Sequence, residues 1–276
     1  MNNQDIDILV VGGGIVGAAM LCALAPLGKR VLLVDEKPAR AEVGVDFDAR
    51  TLTLSRSSVA ILKQLGVWSL LEPLITPIRM IHVSEQGALG RACLYPERQE
   101  ALLGAVIEIS HLKKALFATL NPSAYLPEAK LTAFNADLKE ACIETPIGIR
   151  RVTADVVIAA DGTDSSLRAW CHLSAQEKRY SEEALVTNVG LMRPHGEIAY
   201  ERFTPEGPMA LLPMPNLRAG VVWVQSLKRI QQLKQLTDAD FLATLQREFG
   251  YRLGRFTQVG SRLVYPLRQV VMPECV

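Results

Sequence analysis

The chain has 276 residues, 49 % of them hydrophobic, which is enough apolar material for one large domain or two intertwined ones. Its formal net charge is +1 at pH 7, without a long run of one sign, and this argues against a nucleic-acid partner, which would need a basic face. The five scattered cysteines and four dispersed histidines predict neither a disulfide framework nor a metal site, and reduced thiols are typical of a cytoplasmic protein.

An uncharged run of 21 residues, from Ile8 to Gly28, meets the length criterion for a membrane-spanning helix. The residues before it, MNNQDID, are acidic rather than basic, which is unlike a signal peptide. The three glycines at 12–14 would each cost a helix about 1 kcal/mol relative to alanine. The β-branched stretch 6–11 instead predicts a buried strand, then a glycine turn and a helix over 15–25.

The glycines at this turn form a G-x-G-x-x-G pattern made of Gly12, Gly14 and Gly17. In nucleotide-binding folds the first glycine permits the tight turn, the second lets the backbone approach a pyrophosphate, and the third allows close helix–strand packing. Asp35 ends a second predicted strand 18 residues after Gly17, where a carboxylate would bind ribose hydroxyls and repel a 2′-phosphate. The pattern favours NAD or the ADP half of FAD, and a solvated strand-end residue is the alternative interpretation of Asp35.

The chain after Asp35 does not continue the strand–helix alternation of an NAD dehydrogenase. A polar loop leads to the segment FDARTLTLS (47–55), and apolar spacing then predicts a helix over 57–65. A further buried strand is predicted at 154–160, and it is followed by the pattern D-G-x-x-S-x-x-R at 161–168.

Together these patterns resemble the class A flavin monooxygenases, and more narrowly the ubiquinone-biosynthesis hydroxylases. The likeness runs from residue 7 to about residue 268 and includes FDAR (47–50), GVW (66–68), IHVS (81–84), YERFTPEGPMALLPM (200–214), FGYRLG (249–254) and YPL (265–267). The resemblance implies an α/β fold in which a Rossmann-like FAD-binding domain is interleaved with a mostly antiparallel β-sheet substrate domain. We expect the FAD-binding domain at 1–75 and 100–175, and the substrate domain at 76–99 and 176–276.

The resemblance also implies the cofactor-binding residues. The FAD pyrophosphate is assigned to Gly12, Gly14 and Gly17, and the adenosine ribose to Asp35. The flavin side of FAD is assigned to Arg50. Asp161 and Gly162 are assigned to both FAD and the pyridine nucleotide. Ser165 and Arg168 would support the last turn. An ordinary surface ion pair is the alternative for Arg50, and capping of the following helix is one for Asp161. No catalytic acid or base is predicted.

The implied reaction is hydroxylation of a polyprenyl-phenol ring in ubiquinone biosynthesis, with NAD(P)H as co-substrate and O₂, through a flavin C4a-hydroperoxide. The expected partners are a lipophilic phenol and a ubiquinone-biosynthesis protein complex. Two alternatives stay open: a flavin hydroxylase for another aromatic substrate, and a non-catalytic scaffold of the biosynthetic complex.

The stretch from 183 to about 223 alternates strand-like segments with turns and predicts the sheet that roofs the substrate pocket. Its apolar side chains either line that pocket or form plain sheet core: Met209, Leu211, Leu212 and Met214. A weakly amphipathic basic helix is predicted at 226–236, and it favours either a peripheral contact at the inner face of the membrane or an ordinary surface helix.

Two features depart from the family pattern. Leu21 stands where the family often has a small residue, which bears on helix–strand packing. Family members continue beyond the position of Val276 into a strand with a G-D motif and further helices. We therefore expect that the isolated chain binds FAD weakly, turns over poorly and exposes an apolar sheet face.

Overall fold

The computed structural model describes residues 4–38, 47, 50–97 and 101–273, so Asp48, Ala49 and the predicted boundary at residue 100 lie outside it. The strands are β1 (Gln4–Val11), β2 (Val31–Val34), β3 (Thr51–Ser55), β4 (Thr76–Ile78), β5 (Met80–Glu85), β6 (Ala92–Leu94), β7 (Gly104–Glu108), β8 (Tyr125–Leu126), β9 (Lys130–Asn135), β10 (Glu140–Thr145), β11 (Gly148–Ala159), β12 (Gln176–Leu191), β13 (Ile198–Thr204), β14 (Gly207–Met214), β15 (Arg218–Ser226), β16 (Phe256–Val259) and β17 (Leu263–Val271). The helices are α1 (Ile15–Leu24), α2 (Arg56–Gln64), α3 (Trp68–Leu71), α4 (Ile109–Thr119), α5 (Ser166–Trp170), α6 (Leu227–Gln235) and α7 (Asp238–Phe249).

The first sheet has six strands in the order β8-β2-β1-β11-β10-β9, and β1 pairs in parallel with both β2 and β11. Helix α1 packs on this sheet through Leu21, which is buried with Val10 and Leu33, so the departure at Leu21 is accommodated by strand packing. The predicted strand, glycine turn and helix are confirmed. No helix in the described part of the chain is long and apolar enough to cross a membrane.

A small sheet in the order β3-β7-β4 packs against the other side of α1. Leu54 of β3 and Ile107 of β7 share a buried cluster with Ala18 of α1. The helix predicted at 57–65 is confirmed as α2, and its N-terminus is capped by Ser55, whose side chain accepts a hydrogen bond from the Ser58 N–H.

The third sheet has eight strands, with β16-β12-β15-β14-β13-β5-β6 in order and β17 paired to β12. One face, which we call the back face, packs on α6 and α7 through a cluster that includes Trp223 and Phe241. Ile230 and Leu233 of α6 are buried in the same cluster. The apolar side of the basic helix is therefore core, which favours the surface-helix interpretation over a membrane contact made by these residues.

The opposite face of the eight-stranded sheet, the front face, meets the small sheet. Ile78 and Val106 of the small sheet pack on Ala199 and Met214 of the large one. The fold class predicted from the sequence, an α/β cofactor fold interleaved with a mostly antiparallel sheet, is confirmed. The chain passes from the small sheet to the large one between β4 and β5, returns to the small sheet between β6 and β7, and enters the large sheet again at β12. The division into two domains stays a prediction.

Candidate functional site

The carboxyl ends of β1, β2 and β11 meet at one edge of the six-stranded sheet. The Gly12 N–H donates to the Val34 carbonyl at 2.8 Å, and the Ala160 N–H donates to the Val11 carbonyl at 2.8 Å. These two bonds hold the loops that follow the three strands side by side. Ligands of open α/β sheets bind outside the carboxyl ends of the strands, so this edge is the first candidate site.

The glycine turn at this edge leaves space where side chains would otherwise stand. Gly12 has φ of 104°, a left-handed value that favours glycine. A Cβ at Gly17 would lie 1.9 Å from the Gly12 carbonyl oxygen, whereas no described heavy atom lies within 4 Å of a Cβ at Gly14. Gly14 is the N-cap of α1, without a side-chain cap and without an acidic residue in the first turn. The first N–H groups of α1 are thus available to an anion.

Asp35 lies beside this turn. A Cβ at Gly13 would be 2.5 Å from Asp35 Oδ2, so the carboxylate stands directly over the glycine backbone. The Lys37 N–H donates to Asp35 Oδ1 at 3.3 Å. Burial and the nearby Asp35 charge raise the pKa of Tyr125 to about 12, so its hydroxyl stays neutral near that carboxylate. The arrangement places the Asp35 carboxylate against the glycine turn, at the carboxyl end of β2.

Asp161 follows β11 on the other side of the turn. Its Oδ2 accepts the Leu167 N–H at 3.3 Å, which is the capping contact that the sequence left open. Its Oδ1 is buried without a hydrogen-bond partner among the described residues. Ser165 caps α5, because its Oγ accepts the Arg168 N–H at 3.0 Å, and Arg168 Nη2 donates to the Thr163 carbonyl at 2.9 Å. Capping therefore accounts for one of the two Asp161 oxygens.

Gly162 follows directly in the same loop. It has φ of 94°, and no described heavy atom lies within 4 Å of a Cβ built there. Its exposed backbone faces open space beside the Asp161 carboxylate.

Arg50 lies away from that edge, at the start of β3, and is exposed. Its carbonyl accepts the Ile109 N–H at 2.8 Å, which ties it to the start of α4. Together with Thr51 it faces a cleft on the front face of the eight-stranded sheet, lined by residues that include Val186, Asn188, Leu212, Gly220, Val222 and Leu263. We call this space the front cleft.

Two contacts between the large sheet and earlier parts of the chain were not predicted from the sequence. Arg218 Nη2 lies 2.9 Å from Glu108 Oε1, and their side chains are 8 % and 12 % exposed, so the pair is buried. Asn188 Nδ2 donates to the Phe47 carbonyl at 2.7 Å. In both contacts a residue of the large sheet is bonded to a residue that lies more than a hundred positions earlier in the chain. No local motif signals such pairs.

The apolar side chains proposed to line a pocket divide between two environments. Met209 and Leu211 are buried on the back face, and Met214 is buried against the small sheet. Leu212 is half-buried and lines the front cleft. The plain-core alternative therefore holds for three of the four.

The histidines have packing or surface roles in the structure. The His82 ring lies 5.3 Å from that of Tyr200 on the back face. Burial, followed by the charge of Arg252, lowers the pKa of His82, so a neutral ring is favoured there. His195 Nε2 lies 2.8 Å from the Met214 carbonyl oxygen and holds a loop at the sheet edge. Within the described residues, no group of three or more His, Cys, Asp or Glu side chains is placed to hold a metal.

Similarity to known proteins identifies the family to which the chain belongs. A family model described as "FAD binding domain" matches residues 5–271. The chain is 32 % identical over 264 residues to ubiquinone hydroxylase UbiL of Rhodospirillum rubrum, covering 95 % of this chain and 61 % of the relative. It is 31 % identical over 268 residues to 3-demethoxyubiquinol 3-hydroxylase of Escherichia coli, covering 95 % and 68 %. The chain thus spans about two thirds of the length of these relatives.

A solved structure shares the fold at low sequence identity. The p-nitrophenol 4-monooxygenase PnpA of Pseudomonas putida DLL-E4 has a TM-score of 0.77 and 16 % identity, and the match covers 98 % of this chain and 70 % of that one. At this identity the likeness shows a common fold.

Proposed function

Since the chain belongs to the FAD-binding-domain family that includes the ubiquinone hydroxylases, we propose that it is the cofactor- and substrate-binding part of an FAD-dependent monooxygenase. The proposed reaction is hydroxylation of a polyprenyl-phenol ring in ubiquinone biosynthesis, with NAD(P)H and O₂ as co-substrates. One observation carries the proposal: the open Gly14 position, the Asp35 carboxylate and the unpartnered Asp161 oxygen converge at one sheet edge.

The residues at that edge fit FAD. An anion fits over Gly14, where the N-terminus of α1 offers uncapped N–H groups and positive dipole charge. A ribose with free hydroxyls fits beside Asp35, because a carboxylate is an acceptor for O–H groups and would repel a 2′-phosphate. The buried Asp161 Oδ1 has no hydrogen-bond donor among the described residues, and a bound cofactor would supply one. These fits support the assignments of Gly12, Gly14, Gly17, Asp35, Asp161 and Gly162.

Bound FAD would supply the hydride acceptor and the oxygen chemistry, while the chain binds, orients and shields the reacting groups. In the proposal, α1 holds the pyrophosphate and Arg50 lies on the flavin side, at the mouth of the front cleft. The guanidinium fork of Arg50 pairs with oxygen acceptors and stabilises negative charge there. The sheet residues of the cleft exclude water from the ring to be hydroxylated.

The front cleft fits a lipophilic phenol, because its walls on the large sheet are mainly apolar, including Leu212, Val222 and Leu263. The relatives carry names of ubiquinone biosynthesis, which supports a polyprenyl phenol as substrate. The finer sequence resemblance, to 2-octaprenyl-6-methoxyphenol hydroxylase, supports a methoxyphenol ring. A biosynthetic complex and a contact at the inner membrane face belong to the same proposal.

The proposal is tested on the purified chain saturated with FAD. Because the isolated chain is expected to bind FAD weakly and to turn over poorly, we expect FAD binding to be measurable by titration with excess FAD, and a slow oxidation of NADH or NADPH in the presence of O₂ and 2-methoxyphenol. A chain that binds no flavin and oxidises neither nucleotide, yet joins a biosynthetic complex, would identify a scaffold. Quinone profiling of a deletion strain addresses the substrate: a normal ubiquinone pool would contradict the assignment and favour another aromatic substrate.

The role of Asp161 is open to a direct test. We expect Asp161→Asn to lower FAD affinity roughly tenfold, equivalent to about 1.4 kcal/mol, because a neutral amide replaces the buried carboxylate that faces the cofactor. Fluorescence quenching of FAD during titration gives the dissociation constant. The matched control is Asp164→Asn in the same loop, where the exposed carboxylate pairs with Arg268. Equal losses in both variants would mean that the loop as a whole, rather than Asp161, determines the affinity.

A further inference from the structure

The front face of the eight-stranded sheet is identified by the alternation of side chains along its strands. Tyr200 of β13, Leu211 of β14 and Val221 of β15 are paired in register and belong to the back-face core. Their chain neighbours project to the other side. The front face therefore carries Glu201 of β13, next to Ala210 of β14, which in turn pairs with Val222.

Glu201 is the acidic member of this cross-strand row. Its other neighbour in register is Val83 of β5, so apolar side chains flank it on both sides. The row continues from Ala210 through Val222 to Val186, and the last two line the front cleft. Neighbouring strands lie about 4.8 Å apart, so the backbone of Glu201 lies roughly 10 Å from that of Val222, on the same face of the sheet and just beyond the residues that line the cleft.

The Glu201 carboxyl is half-buried and has no hydrogen bond or ion pair with any described residue. Burial alone raises its pKa. Glu108 of the small sheet differs, because it is paired at 2.9 Å with Arg218 of the large sheet. Partial burial of a carboxyl has a desolvation cost, and no described hydrogen bond or ion pair offsets that cost at Glu201.

We propose that Glu201 determines substrate specificity by accepting a hydrogen bond from the ring hydroxyl of a phenol that extends from the front cleft along the same face of the sheet. The inference rests on the proposed function and deepens it, because it names the group that recognises the hydroxyl. A carboxylate is a strong acceptor for a single O–H donor in an apolar wall. A ring without that donor leaves the carboxylate desolvated and unpaired, which disfavours its binding.

The proposal predicts a particular discrimination between two rings of nearly the same shape. The first probe is 2-methoxyphenol, which has the hydroxyl donor, and the second is 1,2-dimethoxybenzene, in which a methyl group replaces the hydroxyl proton. We expect the FAD-saturated protein to bind the first at least about tenfold more tightly, measured by titration calorimetry. We expect Glu201→Leu to reduce this preference to near unity, and Glu201→Gln to keep part of it through its amide oxygen.

A second readout separates recognition from a structural role. Because the carboxyl is unpaired, Glu201→Leu is expected to keep or raise the melting temperature of the apo-protein, whereas loss of a structural contact would lower it. Glu85→Gln is the matched control, since Glu85 is exposed at the end of the neighbouring strand β5. We expect the Glu85→Gln protein to prefer 2-methoxyphenol over 1,2-dimethoxybenzene as strongly as the parent protein does.

The outcomes are distinct for the two proposals. A Glu201→Leu protein that keeps the full preference for 2-methoxyphenol, or a parent protein that binds both rings equally, overturns the role of Glu201 and leaves FAD-dependent hydroxylation standing. A parent protein that binds FAD but neither ring overturns the phenol substrate class itself. Loss of the preference together with an unchanged or higher melting temperature supports the assignment.

Discussion

Gly14→Ala is expected to leave the chain folded and to lower its FAD affinity by at least about tenfold, or 1.4 kcal/mol. The new methyl group meets no described heavy atom within 4 Å in the protein, and the backbone of Gly14, with φ of −68° and ψ of −174°, is one that alanine adopts without strain. The space it fills is where the pyrophosphate would approach the N-terminus of α1. Fluorescence titration with FAD and urea denaturation of the apo-protein measure the two effects separately.

Gly17→Ala is the informative contrast, because its methyl group would lie 1.9 Å from the Gly12 carbonyl oxygen and 3.3 Å from Leu33 Cδ1. Backbone has to move to relieve that overlap, so we expect a loss of roughly 1–3 kcal/mol or more in the free energy of unfolding, before any ligand is added. If Gly14→Ala binds FAD like the parent, the pyrophosphate does not lie over Gly14. If Gly17→Ala unfolds like the parent, the close helix–strand approach is wrong.

The cofactor edge was predictable because its signals are local in the sequence. A buried strand, a glycine turn and a strand-end acid are read within 35 residues, and parallel pairing then brings the ends of β1, β2 and β11 together. The loop after β11 joins them because Val11 and Ala159 are neighbours in register. The positions of Gly12, Asp35 and Asp161 follow from that topology, whereas their roles toward FAD stay proposals.

The front cleft was harder to predict, because the residues that line it depend on how the strands pair and on which face of the sheet each side chain occupies. The segment from 198 to 214 alternates in both β13 and β14, and the sequence does not tell which set faces α7. Burial of Tyr200 and Met209 against the helices decides it, and Glu201 is then on the opposite face. The contact of Glu108 with Arg218 depends on how two sheets pack, 110 residues apart in the chain.

The buried ion pair of Glu108 and Arg218 leads to the second prediction of a large effect, which concerns the free energy of unfolding. We expect Arg218→Ala to lower the free energy of unfolding by about 3–5 kcal/mol, because it removes the arginine paired with Glu108 where the two side chains are 12 % and 8 % exposed, and leaves His111 Nδ1, 3.8 Å from Glu108 Oε2, as the nearby basic group. The double variant Glu108→Leu with Arg218→Met is expected to recover most of the loss, since it removes both charges and keeps apolar volume. Urea denaturation at pH 7 measures all three proteins.

Arg151→Ala is a suitable control, because its pair with Glu140 joins two strands at 3.3 Å with side chains 50 % and 23 % exposed. Such surface pairs contribute about 1 kcal/mol or less, so a loss as large as that of Arg218→Ala would contradict the distinction between buried and exposed pairs.

The Arg218→Ala variant is also expected to affect cofactor binding. Glu108 precedes Ile109, whose N–H donates to the Arg50 carbonyl at 2.8 Å. Because this contact positions Arg50 over the front cleft, we expect the single variant to bind FAD less tightly and the double variant to regain affinity. An Arg218→Ala protein as stable as the parent would show that the two sheets are held together by their apolar contacts alone.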